Sequence, residues 1–193
     1  MSKAVLLSVQ PKWCEKICNQ IGENKDGSPI YEKRVEVRKT RPKLDTPFPV
    51  YIYQTKKTWV YNIFSKIADW QGKVIGEFIC DDITKIINCG SRFVAEGLTE
   101  AETNRIASSS CLDFDDMKKY LGAKDSYAWH ISNLVIYDEP KELSEFERWC
   151  SHNCGKCKYF CDGGLEEPPT CEWNDFELVR PPQSWCYVEE LSK

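Results

Sequence analysis

No apolar run in this chain approaches the ~20 residues needed to span a bilayer, so a helical membrane protein is excluded at the outset. Internal repeats and low-complexity tracts are also missing, which argues against solenoids and linker-like chains. The apolar part of Met1-Ser2-Lys3-Ala4-Val5-Leu6-Leu7 is too short for an export signal and soon meets Pro11-Lys12-Trp13. A first strand of a cytoplasmic protein is therefore expected. Cysteine is plentiful, at eleven of 193 residues, yet it stays below the roughly 8–10% typical of disulfide scaffolds. An odd count without an export signal predicts reduced thiols.

A uniform coat of one charge is lacking as well. The formal net charge is −4, with 26 Lys and Arg against 30 Asp and Glu. Residues 1–60 hold 12 cations against 6 anions, whereas residues 61–193 hold 14 against 24. Phosphate affinity comes from clustered cations, so a general polyanion binder is excluded. A local basic mouth on an acidic body fits better, and it favours a small or specific ligand. At 41% hydrophobic and 29% charged, the chain has enough apolar material for one full core with an appendage.

What is present gathers around Lys33-Arg34-Val35-Glu36-Val37-Arg38, followed by Lys39, Arg41 and Lys43. The segment alternates as a strand, with Val35 and Val37 on one face and Arg34, Glu36 and Arg38 on the other. Alone it would read as an ordinary solvated edge strand. Before it, Pro11 starts a helix in which Trp13, Ile17 and Ile21 recur until Gly22, and residues 23–29 form a loop. Further strands are expected at 50–53, 74–80, 128–137 and 184–188. Helices are expected at 59–70, after the capping box at Thr99-Glu100-Ala101-Glu102, over Phe114–Leu121 behind Asp113, and from Pro140 through Trp149. Short strands interrupted by helices predict an α+β protein built on a small β-barrel rather than a parallel α/β sheet.

The order of strand, Pro11-Lys12-Trp13-Cys14-Glu15-Lys16-Ile17 helix and Lys33-x-x-Glu36-x-Arg38 resembles the ASCH domains of the PUA-like superfamily. Their signature is G-x-K-x-x-E-x-R; Lys33, Glu36 and Arg38 match it, while Tyr31 stands at the glycine position. Further matches are Gly72–Phe78, Ala128–Ile131 and Arg180–Cys186, and these resemble a phage or prophage subgroup. The resemblance covers about residues 3–145 and 178–190. It implies a PUA-like barrel with a deep cleft, a role in RNA or nucleotide metabolism, and the cytoplasm of a bacterial host. Residues 1–149 would form the barrel, 150–177 an insertion, and 178–193 a final strand returning to the barrel.

Within that cleft Arg38 would offer a planar fork for phosphate or a carbonyl edge, Lys33 a compact amine, and Glu36 an acceptor between them. Glu77, set among Val74, Ile75, Phe78 and Ile79, would be a partly desolvated acid or base. One branch of ASCH-like proteins hydrolyses amides on modified cytidine with Lys, Thr and Glu. Lys33 and Glu77 match that set and make tentative catalytic residues, but Glu36 replaces the threonine and removes its hydroxyl. Trp13, Tyr53, Trp129 and Trp185 are aromatic candidates for stacking on a base, with only one or two expected in the cleft. His130, inside an apolar strand, reads as a hydrogen-bonded core histidine.

Three functions are therefore carried forward. The leading one is binding of RNA or a nucleotide-like ligand by Lys33, Glu36, Arg38, Trp13, Tyr53 and Trp129. The others are a nucleoside amidohydrolase or ribonuclease, and a phage module that binds a host protein partner.

The cysteine-rich stretch is a separate signal. Cys150-x3-Cys154-x2-Cys157-x3-Cys161-x9-Cys171 offers more than the four thiolates of a tetrahedral zinc site, in a stretch too polar to fold by burial. A structural Zn2+ in a zinc-knuckle-like insertion is expected. Cys154 and Cys157 are its firmest pair, Cys150 and Cys171 complete it, and Cys161 is the substitute.

Overall fold

A computed structural model describes residues 2–56, 68–90, 92–149 and 178–191. The expected helix at 59–70 falls mostly outside them, apart from a 3-10 turn at Ala68–Trp70. The cysteine-rich insertion lies outside them entirely.

Strand β1 (Lys3–Val9) is buried along nearly its whole length because both its faces are covered. Val5, Leu7 and Val9 enter one apolar cluster, and Ala4 and Leu6 enter another behind the sheet. A continuous apolar run is what a doubly covered strand requires. Pro11 opens α1 (Pro11–Cys18), where its fixed φ and missing N–H cost nothing, and Cys14 and Ile17 face the core. The helix stops one turn earlier than the Trp13-Ile17-Ile21 spacing predicts. Gln20–Glu23 instead forms β2, paired with β3 (Pro29–Tyr31), and Ile21 is left exposed. The turn between them satisfies itself: Asp26 accepts from the Ser28 backbone and hydroxyl, and Gly27 takes a positive φ.

The remaining strands are β4 (Val35–Arg38), β5 (Phe48–Gln54), β6 (Val74–Cys80), β7 (Ile83–Asn88), β8 (Phe93–Ala95), β9 (Ser126–His130), β10 (Ser132–Lys141) and β11 (Trp185–Glu189). Helix α2 (Glu100–Ser110) begins with the full Thr99–Glu102 capping box, and α3 (Phe114–Leu121) with Asp113 accepting from the Asp116 N–H. Sequence reasoning did not anticipate β7 and β8. It also merged β9 and β10, which separate at Ile131; just inside β10, Asn133 adopts a positive φ and the β6–β10 register shifts. Pro140 lies within β10 and no helix runs to Trp149. The buried Phe146 packs on Tyr51, and Glu147 and Trp149 are held extended by backbone bonds to β11.

The described strands form a five-stranded sheet in the order β10-β6-β5-β1-β11, a four-stranded sheet in the order β4-β9-β7-β8, and the β2–β3 ribbon. Only β1 and β5 run parallel among the described pairs. Backbone bonds from Ile131 to Arg34 and from His130 to Asp82 tie β4 and the β6–β7 turn to the β9–β10 junction. The architecture is mixed α and β, mostly sheet, with the main core between the two large sheets around Val5, Val50, Ile75, Phe78 and Trp129. No helix among the described residues is long and apolar enough to cross a membrane.

Candidate functional site

The alternation of β4 decides what faces where. Val35 and Val37 pack under α2 and α3 with Ile86, Met117 and Leu121. Glu36 and Arg38 point the other way, cross-strand from Trp129 and Tyr127, toward the space between the sheets. That placement buries them; it is not the solvated face that the sequence pattern alone would favour. Lys33 is 1% exposed, Glu36 5% and Arg38 8%.

The three form one ion-paired row. Glu36 Oε1 accepts from Arg38 Nη2 at 2.8 Å, and Glu36 Oε2 lies 3.2 Å from Lys33 Nζ. The outer cations are fixed by backbone carbonyls: Lys33 Nζ donates to Ser110 O at 2.6 Å, and Arg38 Nη2 to Ser8 O at 2.8 Å. Burial pushes the Glu36 carboxyl up, but Lys33 and Arg38 outweigh that and hold it below the usual carboxylate range. A buried row of two cations and one anion carries a net positive charge. One of its polar atoms, Arg38 Nε, is buried without a hydrogen-bond partner among the described residues.

This row floors a cleft of about 570 Å3. Its walls include Trp13 and Lys12 from α1, Asp116, Lys119 and Tyr120 from α3, and Gln183 and Ser184 ahead of β11. Trp13 lies near two ammonium groups, with Lys12 Nζ 4.1 Å and Lys33 Nζ 5.2 Å from its ring centroid. On the α3 wall, burial pushes the Tyr120 phenol up, while Arg38 beside it pulls part of the way back.

Of the residues singled out from the sequence, Lys33, Glu36, Arg38 and Trp13 share this cleft. The others do not line it. Tyr53 shares the outer face of the five-stranded sheet with Tyr51 and Phe146, so β5 turns it away. Trp129 faces the same interior as Glu36 but is fully buried between Phe48 and Trp185, too deep to stack on a ligand. Glu77 pairs in register with Tyr51 on that same outer face. It lines a separate recess of about 180 Å3 and accepts from Tyr137 Oη at 2.9 Å. Lys33 and Glu77 therefore do not form a catalytic pair across one cavity. Trp185 stands on β11 with its indole N–H donated to Thr40 Oγ1. His130 is bound to Asp81 at 2.6 Å, but about half exposed rather than in the core.

Sequence reasoning missed Lys12, Tyr120, Gln183 and Ser184. A signal existed for Tyr120: Met117 and Leu121 fix the buried face of α3, which leaves Lys119 and Tyr120 facing elsewhere. Gln183 and Ser184 lie inside the matched Arg180–Cys186 block but carry no spacing that would mark them. The proposed zinc ligands Cys150, Cys154, Cys157, Cys161 and Cys171 lie outside the described residues. Among the described residues no group of three or more His, Cys, Asp and Glu is placed to hold a metal ion.

No protein-family model matches the chain, and no curated protein sequence matches it. Among solved structures it is similar to ASCH from Zymomonas mobilis, at 16% identity over 72% of this chain and 73% of that one, with a TM-score of 0.48. Two single-substitution variants of the same protein align similarly. One is 16% identical over 74% and 77% of the two chains with a TM-score of 0.48; the other is 17% identical over 72% and 74%, with 0.47. These structural neighbours are ASCH proteins at low identity, and the likeness assigns no residue a role.

Proposed function

We propose that the cleft binds RNA or a nucleotide-like ligand. The observation that carries this is the buried, net-positive row of Lys33, Glu36 and Arg38 with Arg38 Nε left without a partner among the described residues. Buried polar groups are normally satisfied, and an unbalanced buried cation is costly. A ligand that brings an anionic acceptor to Arg38 resolves both. A nucleotide has such a group, and the flat rings of Trp13 and Tyr120 on the walls suit a base. The volume also lies within the ~300–1,000 Å3 typical of small-ligand pockets. Calorimetric titration with nucleoside monophosphates and the parent nucleosides tests the reading. The monophosphates are expected to bind, and more tightly than the nucleosides. No binding of either would sink it.

The cysteine segment carries an independent proposal, a structural zinc held by four of Cys150, Cys154, Cys157, Cys161 and Cys171. Its support is the thiolate spacing in a polar stretch. Structural zinc contributes on the order of 10 kcal/mol at neutral pH to such sites. Elemental analysis of freshly purified protein should find one zinc per chain, and a metal-free result rules the ion out.

A further inference from the structure

We infer that the ligand is a single-stranded polynucleotide whose phosphates continue from the cleft over the loop at residues 39–43. The inference rests on the cleft reading and deepens it. Along this loop cations and anchors alternate. Lys39, Arg41 and Lys43 are exposed, whereas Pro42 is buried and Leu44 packs against the main core. Thr40 Oγ1 accepts the Trp185 indole N–H at 3.0 Å, and the Lys43 backbone N–H donates to Tyr187 Oη at 2.6 Å. The side chains that hold the loop, Thr40, Trp185 and Tyr187, are neutral and leave its charge unchanged. The cations are left outward on a fixed support, which lowers the ordering cost of meeting a ligand.

The loop is continuous with the cleft at both ends of its support. Lys39 Nζ stands 5.0 Å over the ring of Tyr120, a cleft wall. Trp185, which holds Thr40, directly follows the cleft residues Gln183 and Ser184. Lys12 and Lys119 carry the positive charge around the rim. Lys12, Lys39, Arg41, Lys43 and Lys119 form no ion pair with another described residue, although most of the chain is acidic. The one carboxylate on the cleft wall besides Glu36 is Asp116. Residues 39–43 reach at most about 14 Å, so the tract suits a few flanking phosphates beyond a single bound unit. An acidic protein surface would satisfy the cations too, but its carboxylates bring no flat base to the Trp13 and Tyr120 walls.

The test compares an RNA of about ten nucleotides, the size an aromatic-and-basic groove covers, with a nucleoside monophosphate, across a salt series. In the unmodified protein the RNA should bind more tightly, with the steeper salt dependence. The double variant Arg41→Gln and Lys43→Gln should flatten the slope of log K against log salt for RNA by about 1.4, given roughly 0.7 per phosphate on single strands. Its affinity for the monophosphate should stay unchanged. The variant touches only exposed ends, so retention of monophosphate binding also reports an intact fold. RNA binding no tighter than the monophosphate, or an unchanged salt slope in the double variant, overturns the inference while leaving the cleft reading intact. Failure of both ligands to bind the unmodified protein overturns the two together.

Discussion

Glu36 and Glu77 are two carboxylates on neighbouring strand systems, each flanked by apolar residues in sequence, and they end in opposite surroundings. Glu36 is enclosed between Lys33 and Arg38 at the floor of the cleft. Glu77 sits on the outer face of the five-stranded sheet and takes its single described hydrogen bond from a neutral phenol. The difference is one of layering. β4 has helices behind it, so its charged face turns inward between the sheets; β6 is packed toward the core by Ile75 and Phe78, so Glu77 turns out with Tyr51. An inward carboxylate survives only if cations come with it, and here they come three residues before and two residues after. The outward one needs no counter-charge.

The largest effect that would break this contrast is on stability. Glu36→Gln leaves Lys33 and Arg38 as two buried cations without an anion, and removing one partner of a buried ion network costs roughly 3–5 kcal/mol. Glu77→Gln keeps a carbonyl acceptor for Tyr137 and should cost only about 1 kcal/mol. Urea unfolding of the two variants measures both. Equal losses would mean that the cleft row is solvated and that its buried charge is no reason to expect a ligand.

Next in size is ligand affinity. Arg38→Lys keeps the charge but removes the fork and the unpaired Nε, and bidentate charge-assisted contacts are about twice as strong as neutral ones. A loss on the order of tenfold in monophosphate affinity is expected, which corresponds to about 1.4 kcal/mol. Lys25→Ala, in the exposed β2–β3 turn, is the fitting control. Lys119 is unsuitable for that purpose because it lines the cleft. Identical affinities in the two variants would move the ligand away from Arg38.

How much of this was legible in the sequence follows from the same contrast. Local signals were read correctly where the cause is local: the proline that opens α1, the Thr99–Glu102 capping box and the Asp113 cap. The alternation of β4 and the grouping of Lys33, Glu36 and Arg38 were visible because three residues on one element determine them. The sides taken by Glu77, Tyr53 and Trp129 were not, since each depends on which sheet covers which face. Nor did the sequence show that Ile21 would leave its helix, because the competing partner, the β3 strand, lies beyond a turn. The basic loop could be counted from the sequence, but its rigid anchoring on Trp185 and Tyr187 joins residues some 145 positions apart.

A smaller effect appears in acid. Lys33 and Arg38 hold the folded-state Glu36 pKa below its unfolded value of about 4.3. A depressed carboxyl contributes stability that is fully present above the unfolded pKa and is lost as pH falls through the folded one. Between neutrality and about pH 5 stability should therefore be insensitive to Glu36, and it should decline below about pH 4. Asp26, Glu32, Asp81 and Glu102 are lowered as well and share that acid limb. Glu36→Gln, already weaker at neutral pH, should thus decline less steeply with acid than the unmodified protein. Parallel curves would show that Glu36 titrates alike in both states.

The smallest and most local effect is on the other side of the comparison. Burial raises the Tyr137 phenol, and its hydrogen bond to Glu77 and the charge behind that bond raise it further. In Glu77→Gln the neutral amide removes the charge, so one tyrosine should ionise at lower pH than before while burial still keeps it above an ordinary phenol. Absorbance-monitored titration under native conditions reads this, and Tyr137→Phe identifies which of the nine tyrosines has moved. The same substitution should leave monophosphate affinity unchanged, because Glu77 and the cleft do not share a cavity. A tenfold loss of affinity in Glu77→Gln, with Tyr137 unmoved, would place Glu77 at the ligand after all and overturn the separation of the two sites.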